Sequence, residues 1–82
     1  MTYTTYCVVY PEGDMQEIPH PIKINQLTDL NGYPLSLPLS TSKMIVFRVY
    51  KISTREERGE TKVFHHLELV PVPEIEDMQR SL

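Results

Sequence analysis

Four residues of types that ligate metals or act as nucleophiles stand out in this chain: Cys7, His20, His65 and His66. Zinc and related metals need a defined set of ligands at characteristic spacings. His65 and His66 are neighbours, and successive residues of a strand point to opposite faces, so the two rings cannot reach one ion. No C-x-x-C or H-x-x-x-H spacing occurs. The sequence therefore predicts no metal site and no other cofactor.

Nucleophilic catalysis would require a serine or cysteine placed beside a base. The chain has no G-x-S-x-G motif and no glycine-rich phosphate loop. Cys7 lies between Tyr6 and Val8 in an apolar segment, where cysteine usually behaves as a small buried hydrophobe. We therefore expect no catalytic residues and no enzyme activity.

Charge is unevenly distributed along the chain, whose net charge is −3. Residues 43–62 contain six lysines or arginines and three glutamates, and the remainder contains two bases and eight acids. Aromatic side chains alternate with these bases, as in surfaces on which nucleic-acid bases stack. The acidic total weighs against phosphate binding, and basic residues also protect strand edges from aggregation. Single-stranded nucleic-acid binding by hairpin 43–70 is therefore the alternative to protein binding.

Composition indicates a small all-β domain, because 82 residues allow only one core. Alanine is absent, and 27 residues are Val, Ile, Thr, Tyr or Phe, the types favoured in strands. The longest apolar run has four residues, too few to cross a membrane. The N-terminus does not resemble a secretory signal, and a single cysteine fits a reducing compartment. We expect a cytoplasmic protein without a membrane partner.

Two hairpins are predicted, and both have a glycine near the turn. Tyr3–Tyr10 and Met15–Ile18 flank Pro11-Glu12-Gly13, which is typical of a three-residue loop with a glycine bulge. The segments 43–54 and 60–70 flank a second loop that we expect to have the same form, with Gly59 as its bulge residue. That loop would place Phe47 opposite Leu69, Val49 opposite Leu67, Tyr50 opposite His66 and Ile52 opposite Phe64.

The second hairpin has two different faces. One is predicted to be the core and consists of Ile45, Phe47, Val49, Val63, Leu67 and Leu69. The other mixes apolar with charged residues, although a solvated face should be mostly polar. Exposed apolar surface marks interaction sites, so we predict a partner-binding surface here. Its residues are Arg48, Tyr50, Ile52, Lys62, Phe64 and His66. The alternative is that the C-terminal tail covers this face through Val72, Ile75 and Met78.

The central segment is less regular than the hairpins. Ile22–Asn25 alternates like a short strand, and Leu35, Leu37 and Leu39 predict a short edge strand or a packed loop. With the two hairpins, this gives an antiparallel meander of five to six strands, closed into a small SH3-like or OB-like barrel. The domain would span residues 1–72, with 73–82 forming a short helix or a frayed tail. The predicted function is a non-catalytic protein-interaction module or small subunit of a larger cytoplasmic assembly, through a protein partner or self-association.

Overall fold

The computed structural model describes residues 3–37, 39 and 44–80. Five strands form one curled sheet, a half-barrel, and a short helix follows it. The elements are β1 (Tyr3–Val9), β2 (Met15–Ile18), β3 (Leu27–Thr28), β4 (Phe47–Glu57), β5 (Glu60–Leu69) and α1 (Val72–Arg80). This confirms the predicted small all-β fold with a C-terminal helix. The expected strand start at Lys43 and the tail residues Ser81 and Leu82 lie outside the described residues.

The sheet is mixed, whereas the sequence predicted an antiparallel meander. Its strand order is β2-β1-β5-β4-β3, and β1 pairs with β5 in parallel, from Tyr3 opposite Glu60 to Val9 opposite His66. The chain leaves β2 at one edge, crosses to β3 at the other edge, and returns to the centre through β4 and β5. Each hairpin is encoded by its own turn, but the pairing between hairpins joins residues far apart in sequence. Local patterns therefore could not reveal it.

The first hairpin has the predicted loop. The Tyr10 N–H donates to the Asp14 carbonyl at 2.8 Å, and the Gly13 N–H donates to the Tyr10 carbonyl at 2.9 Å. Gly13 has φ +102°, which a glycine adopts without the steric penalty of a side chain. This is a three-residue loop closed by a glycine bulge.

The second hairpin has a tighter turn than predicted. Arg58 and Gly59 have φ values of +38° and +81°, and Glu57 pairs directly with Glu60, which defines a two-residue type I′ turn. One fewer loop residue shifts the pairing by one, so that Ile52 lies opposite His65 and not Phe64. Phe64 lies opposite Ser53 instead.

A β-bulge between Val49 and Lys51 compensates for this shift. Beyond it, Phe47 pairs with Leu69 and Val49 pairs with Leu67, as predicted. The bulge therefore restores the core-facing register at the base of the hairpin. The outer part of the hairpin keeps the register that its turn imposes.

The main core lies on the concave face of the sheet. It consists of Val8, Tyr10, Ile18, Ile22, Phe47, Val49 and Leu67, with Tyr6 partly buried against it. Burial of Phe47, Val49 and Leu67 is thus confirmed. Leu69 and Ile45 are 58% and 50% exposed, so their assignment to the core was wrong. Both lie at the end of the β4–β5 hairpin, outside the concave cluster.

A second core cluster lies at that end of the hairpin and contains the C-terminal helix. It consists of Leu27, Leu39, Val46, Val70 and Ile75, with Leu35 and Met44 partly buried against it. The predicted strand over Ile22–Asn25 was wrong: the Gln26 N–H donates to the Lys23 carbonyl in a turn where Asn25 has φ +70°. Ile22 is nevertheless buried, so its apolar character reflected core packing.

Candidate functional site

The convex side of the sheet carries most of the residues predicted to bind a partner. Residues that pair across strands share a face, so the register identifies the members of this surface, here called the outer face. It contains Arg48, Tyr50, Lys62, Phe64 and His66, together with Tyr3, Thr5, Cys7, Val9, Met15, Glu17, Lys51, Ser53, Arg55, Glu57, Glu60 and Glu68. All of these residues belong to the described part of the chain, and none of their side chains is buried. The structure thus brings five of the six predicted site residues together.

Ile52, the sixth predicted site residue, lies on the opposite face. It pairs with His65, whose side chain points into the concave core, and it is 39% exposed. The type I′ turn is the physical reason, because one fewer loop residue reverses the facing of every side chain in this part of β4. The predicted adjacency of Ile52 and Phe64 was therefore wrong.

Arg48 is engaged within the chain. Its guanidinium forms ion pairs with Glu68 at 2.7 Å and with Glu74 at 3.3 Å. The hydrogen bond from Arg48 to Glu68 is the main cause that raises the pKa of the guanidinium, so its charge is retained. Glu74 lies in the first turn of α1, and Arg48 therefore connects the helix to β4 and β5.

Aromatic and basic groups meet at the centre of the outer face. The rings of Tyr50 and His66 lie 6.3 Å apart, and the His66 Nε2 is 2.8 Å from the Ser53 hydroxyl. The Arg55 guanidinium lies 5.7 Å from the centre of the Phe64 ring, within cation–π range. Tyr50 occupies the bulge, so its ring lies beside His66, but the predicted direct pairing of Tyr50 with His66 was wrong because Lys51 takes that position.

Two cations oppose each other beside this aromatic group. Arg55 and Lys62 are direct cross-strand partners, an arrangement that destabilises a sheet. Arg55 also lies 3.5 Å from Glu57, and Glu17, Glu60 and Glu68 lie on the same face. The outer face therefore carries charges of both signs beside its apolar residues.

The sequence left open whether a partner or the C-terminal tail covers the second face of the main hairpin. In the structure, the C-terminal helix covers only part of that face. Ile75 is 2% exposed and packs with Val46 and Val70, whereas Tyr50 is 53% exposed. Val72, the other expected contact whose side chain is described, is 57% exposed, and the Met78 side chain lies outside what the structure describes. The helix is thus a lid for the end of the hairpin and leaves the outer face open.

Replacing Ile75 by alanine is expected to lower the free energy of unfolding by about 2 kcal/mol and to increase binding of an apolar dye. The effect should lie at the low end for such a change, because a helix at the chain end can readjust. Denaturant unfolding measures it, with Glu76→Ala, an exposed position in the same helix, as the control. Equal effects of the two variants would contradict the lid assignment.

A buried histidine, which sequence reasoning treated only as a candidate metal ligand, joins three segments of the fold. His65 has no exposed surface. Its Nε2 accepts the Ile22 N–H at 3.1 Å, so Nδ1 carries the proton and donates to the Cys7 carbonyl at 2.9 Å. The signal in the sequence was its position between Val63 and Leu67, two residues predicted to lie in the core, of which Leu67 is buried and Val63 is half-buried. His65 is thus a structural group.

A cavity of about 320 Å³ lies beside β2, and sequence analysis did not anticipate it. Its walls come from residues 16–22 and 31–34. The Pro19-His20-Pro21 segment belongs to one wall and the turn at Gly32, where φ is +85°, to the other, and the Gln16 side-chain N–H donates to the Asn31 carbonyl between them at 2.7 Å. These proline and glycine signals were visible in the sequence, but the approach of the two segments was not.

The thiol of Cys7 lies on the outer face between charged neighbours. Its pKa is raised, first by burial and then by Glu17, while Lys62 acts in the opposite direction. A raised pKa reduces the thiolate fraction and hence nucleophilicity. In the described ranges, no three His, Cys, Asp or Glu side chains are grouped as a metal site would require.

Fold and surface together define a small all-β half-barrel with an open, partly apolar outer face. The chain belongs to the family described as "Uncharacterised Treponema protein", which matches residues 2–78. No curated protein and no solved structure matches it. Among the described residues, no helix has the length and apolar character needed to span a membrane.

Proposed function

We propose that this chain is a non-catalytic protein-interaction module, or a small subunit of a larger cytoplasmic assembly, that binds a protein partner through the outer face. The supporting observation is the exposure of large apolar side chains there: Met15 is 63% exposed and Tyr50 is 53% exposed. Val9, the cross-strand partner of Met15, and Phe64 on β5 are only half-buried. Exposed apolar side chains gathered on one face are characteristic of interaction sites.

The charges of the outer face indicate the chemistry of the partner. Phe64 lies against Arg55, which also lies 3.5 Å from Glu57. A partner that covers the rings with apolar groups and meets the bases and acids around them with charges of both signs would satisfy both features. Aromatic and arginine side chains are frequent anchors of protein interfaces.

Replacing Tyr50 and Phe64 together by serine is expected to abolish partner capture while leaving the fold largely intact. Neither side chain belongs to a buried cluster, so the loss of stability should be small. Capture from native cell extract by the immobilised protein measures binding, and thermal unfolding measures stability. The matched control is Ile24→Ser with Leu37→Ser, which removes two exposed apolar side chains elsewhere.

The control variant should capture the same protein as the original chain. A folded Tyr50→Ser, Phe64→Ser variant that still captures it would contradict the proposal. A double variant that unfolds would instead indicate that these rings belong to the core.

Single-stranded nucleic acid is the second candidate, and the Arg55–Phe64 stack is the observation that favours it. Against it, Arg48 is paired with two glutamates and Arg55 lies 3.5 Å from Glu57, which weakens the positive field. Binding to phosphates falls steeply with salt, whereas an apolar protein interface tolerates it. Filter retention of single-stranded RNA that disappears on adding salt would favour this candidate over the first.

A further inference from the structure

Most of strand β4 has a free edge. β3 pairs with β4 only at Phe47 and Arg48, and Val49 exchanges backbone hydrogen bonds with the turn before β3. From Lys51 to Glu57, no backbone hydrogen bond joins this edge to another part of the described chain. Six of these seven residues are exposed. An unpaired strand edge of this length is a template for a further strand.

The hairpin geometry determines which backbone groups point outward from this edge. Glu57 and Glu60 close the two-residue turn and form a hydrogen-bonded pair, so hydrogen-bonded pairs recur at every second residue along β4. Residues 51, 53, 55 and 57 therefore direct their N–H and C=O groups towards β5. Ile52, Thr54 and Glu56 direct theirs into solvent, where a further strand would find them.

A second copy of β4 fits this edge in one antiparallel register. Centring a two-fold axis on Thr54 pairs all seven residues and uses only outward-pointing backbone groups. It places Lys51 of each copy opposite Glu57 of the other and Thr54 opposite Thr54. Opposite charges and threonine pairs both stabilise cross-strand neighbours. No like charges lie directly opposite each other in this arrangement.

The adjacent registers are worse. Moving the axis to Ser53 would place Lys51 opposite Arg55, and moving it to Arg55 would oppose the two copies of that arginine. If these charges served only to protect the edge from aggregation, they would not need to be complementary between two copies of β4. We infer that the protein forms a two-fold symmetric dimer by pairing the β4 edges of two copies, centred on Thr54.

This inference goes beyond the proposed function, because it names a second copy as the partner and an edge as the surface. The dimer would join two sheets into one and place two outer faces side by side. Ile52 lies on the face opposite the outer face, so in the dimer it would lie on the concave side of the new strand pair. The backbone pairing and the two Lys51–Glu57 contacts would hold the dimer together.

Charge reversal tests the register. Sedimentation velocity on the full chain should show a dimer, and Lys51→Glu or Glu57→Lys should each raise the dissociation constant by about tenfold or more, because attraction becomes repulsion twice per dimer. The double variant carrying both changes should return to within about threefold of the original value. All four proteins should remain folded, since both positions are exposed.

Disulfide trapping tests the centre of the pairing. In a Cys7→Ser background, Thr54→Cys should form a covalent dimer on mild oxidation, because opposed hydrogen-bonded residues have Cα atoms about 5.5 Å apart, within disulfide range. Ser53→Cys is the matched control and should cross-link poorly, because its opposite residue is Arg55. A chain that stays monomeric at about 1 mM, a double variant that is not rescued, or equal cross-linking of the two cysteines would overturn the inference.

The dimer and the proposed function can be tested independently of each other. The Tyr50→Ser, Phe64→Ser variant changes the outer face and leaves the β4 edge intact, so it should dimerise normally while losing partner capture. Thr54→Pro, which removes an outward-pointing N–H from the β4 edge and changes no side chain of the outer face, should do the opposite, because proline is tolerated on an edge strand. Loss of both properties in the Tyr50→Ser, Phe64→Ser variant while it stays folded would overturn the assignment of the dimer to the edge.

Discussion

Phe47→Ala is expected to lower the free energy of unfolding by about 3–5 kcal/mol. Phe47 is 6% exposed and its ring meets that of Tyr10 edge to face, with centroids 5.4 Å apart. Truncation would therefore remove both burial and an aromatic pair, and leave a cavity in the concave core. A domain of this size has only about 4–12 kcal/mol in total, so a large part of the stability would be lost.

Leu69→Ala is the matched control for this change. Leu69 is the direct cross-strand partner of Phe47 and shares its face, yet it is 58% exposed. We expect its truncation to cost less than about 1 kcal/mol, as for surface positions generally. Urea unfolding of both variants measures the difference. Similar losses for the two would show that the core extends over Leu69.

His65→Leu is expected to destabilise the protein by about 3–5 kcal/mol, although leucine preserves much of the buried volume. The Ile22 N–H would lose its acceptor in a buried site, and the Cys7 carbonyl would lose the Nδ1–H donor in a partly buried one. Each buried group left without a partner costs about 1–3 kcal/mol. Urea unfolding measures the loss, and amide exchange at Ile22 should accelerate.

His66→Leu provides the control for this prediction. His66 is the next residue along β5, half-buried on the outer face, with one hydrogen-bond contact to Ser53. Its replacement should cost about 1 kcal/mol or less, because the groups that it leaves behind remain accessible to water. If His66→Leu were the more damaging change, the assignment of His65 to the core would be wrong.

Local sequence determined the four strands of the two hairpins and one of the two hairpin turns. Pro11 and Gly13 encode the first loop within five residues, and the structure has that loop. The absence of alanine and the abundance of β-branched residues indicated an all-β fold for the same reason, since strand preference acts residue by residue. Alternation likewise identified Phe47, Val49 and Leu67 as core residues.

The placement of the candidate site residues on one face was predicted in part, and the misplacement of Ile52 came from a single turn. Arg58-Gly59 supports a two-residue or a three-residue loop on local grounds, and the choice moves Ile52 from one face to the other. The bulge at Tyr50 then reverses the shift, so that Phe47 and Val49 still face the core. Burial at the base of the hairpin favours one register and the turn at its tip imposes another. The bulge that allows both registers in one strand is visible only in the folded sheet.

The sequence by itself determined composition, strand content, the first turn and the amphipathic faces of the main hairpin. The tertiary structure decided the parallel pairing of β1 with β5, the packing of Ile75 over Val46 and Val70, and the hydrogen bonds of His65. The physical reason is the range of the interactions. Turns and alternation depend on neighbours within a few residues, whereas the buried contacts of His65 join segments 43 and 58 residues apart and exist only when the whole sheet has formed.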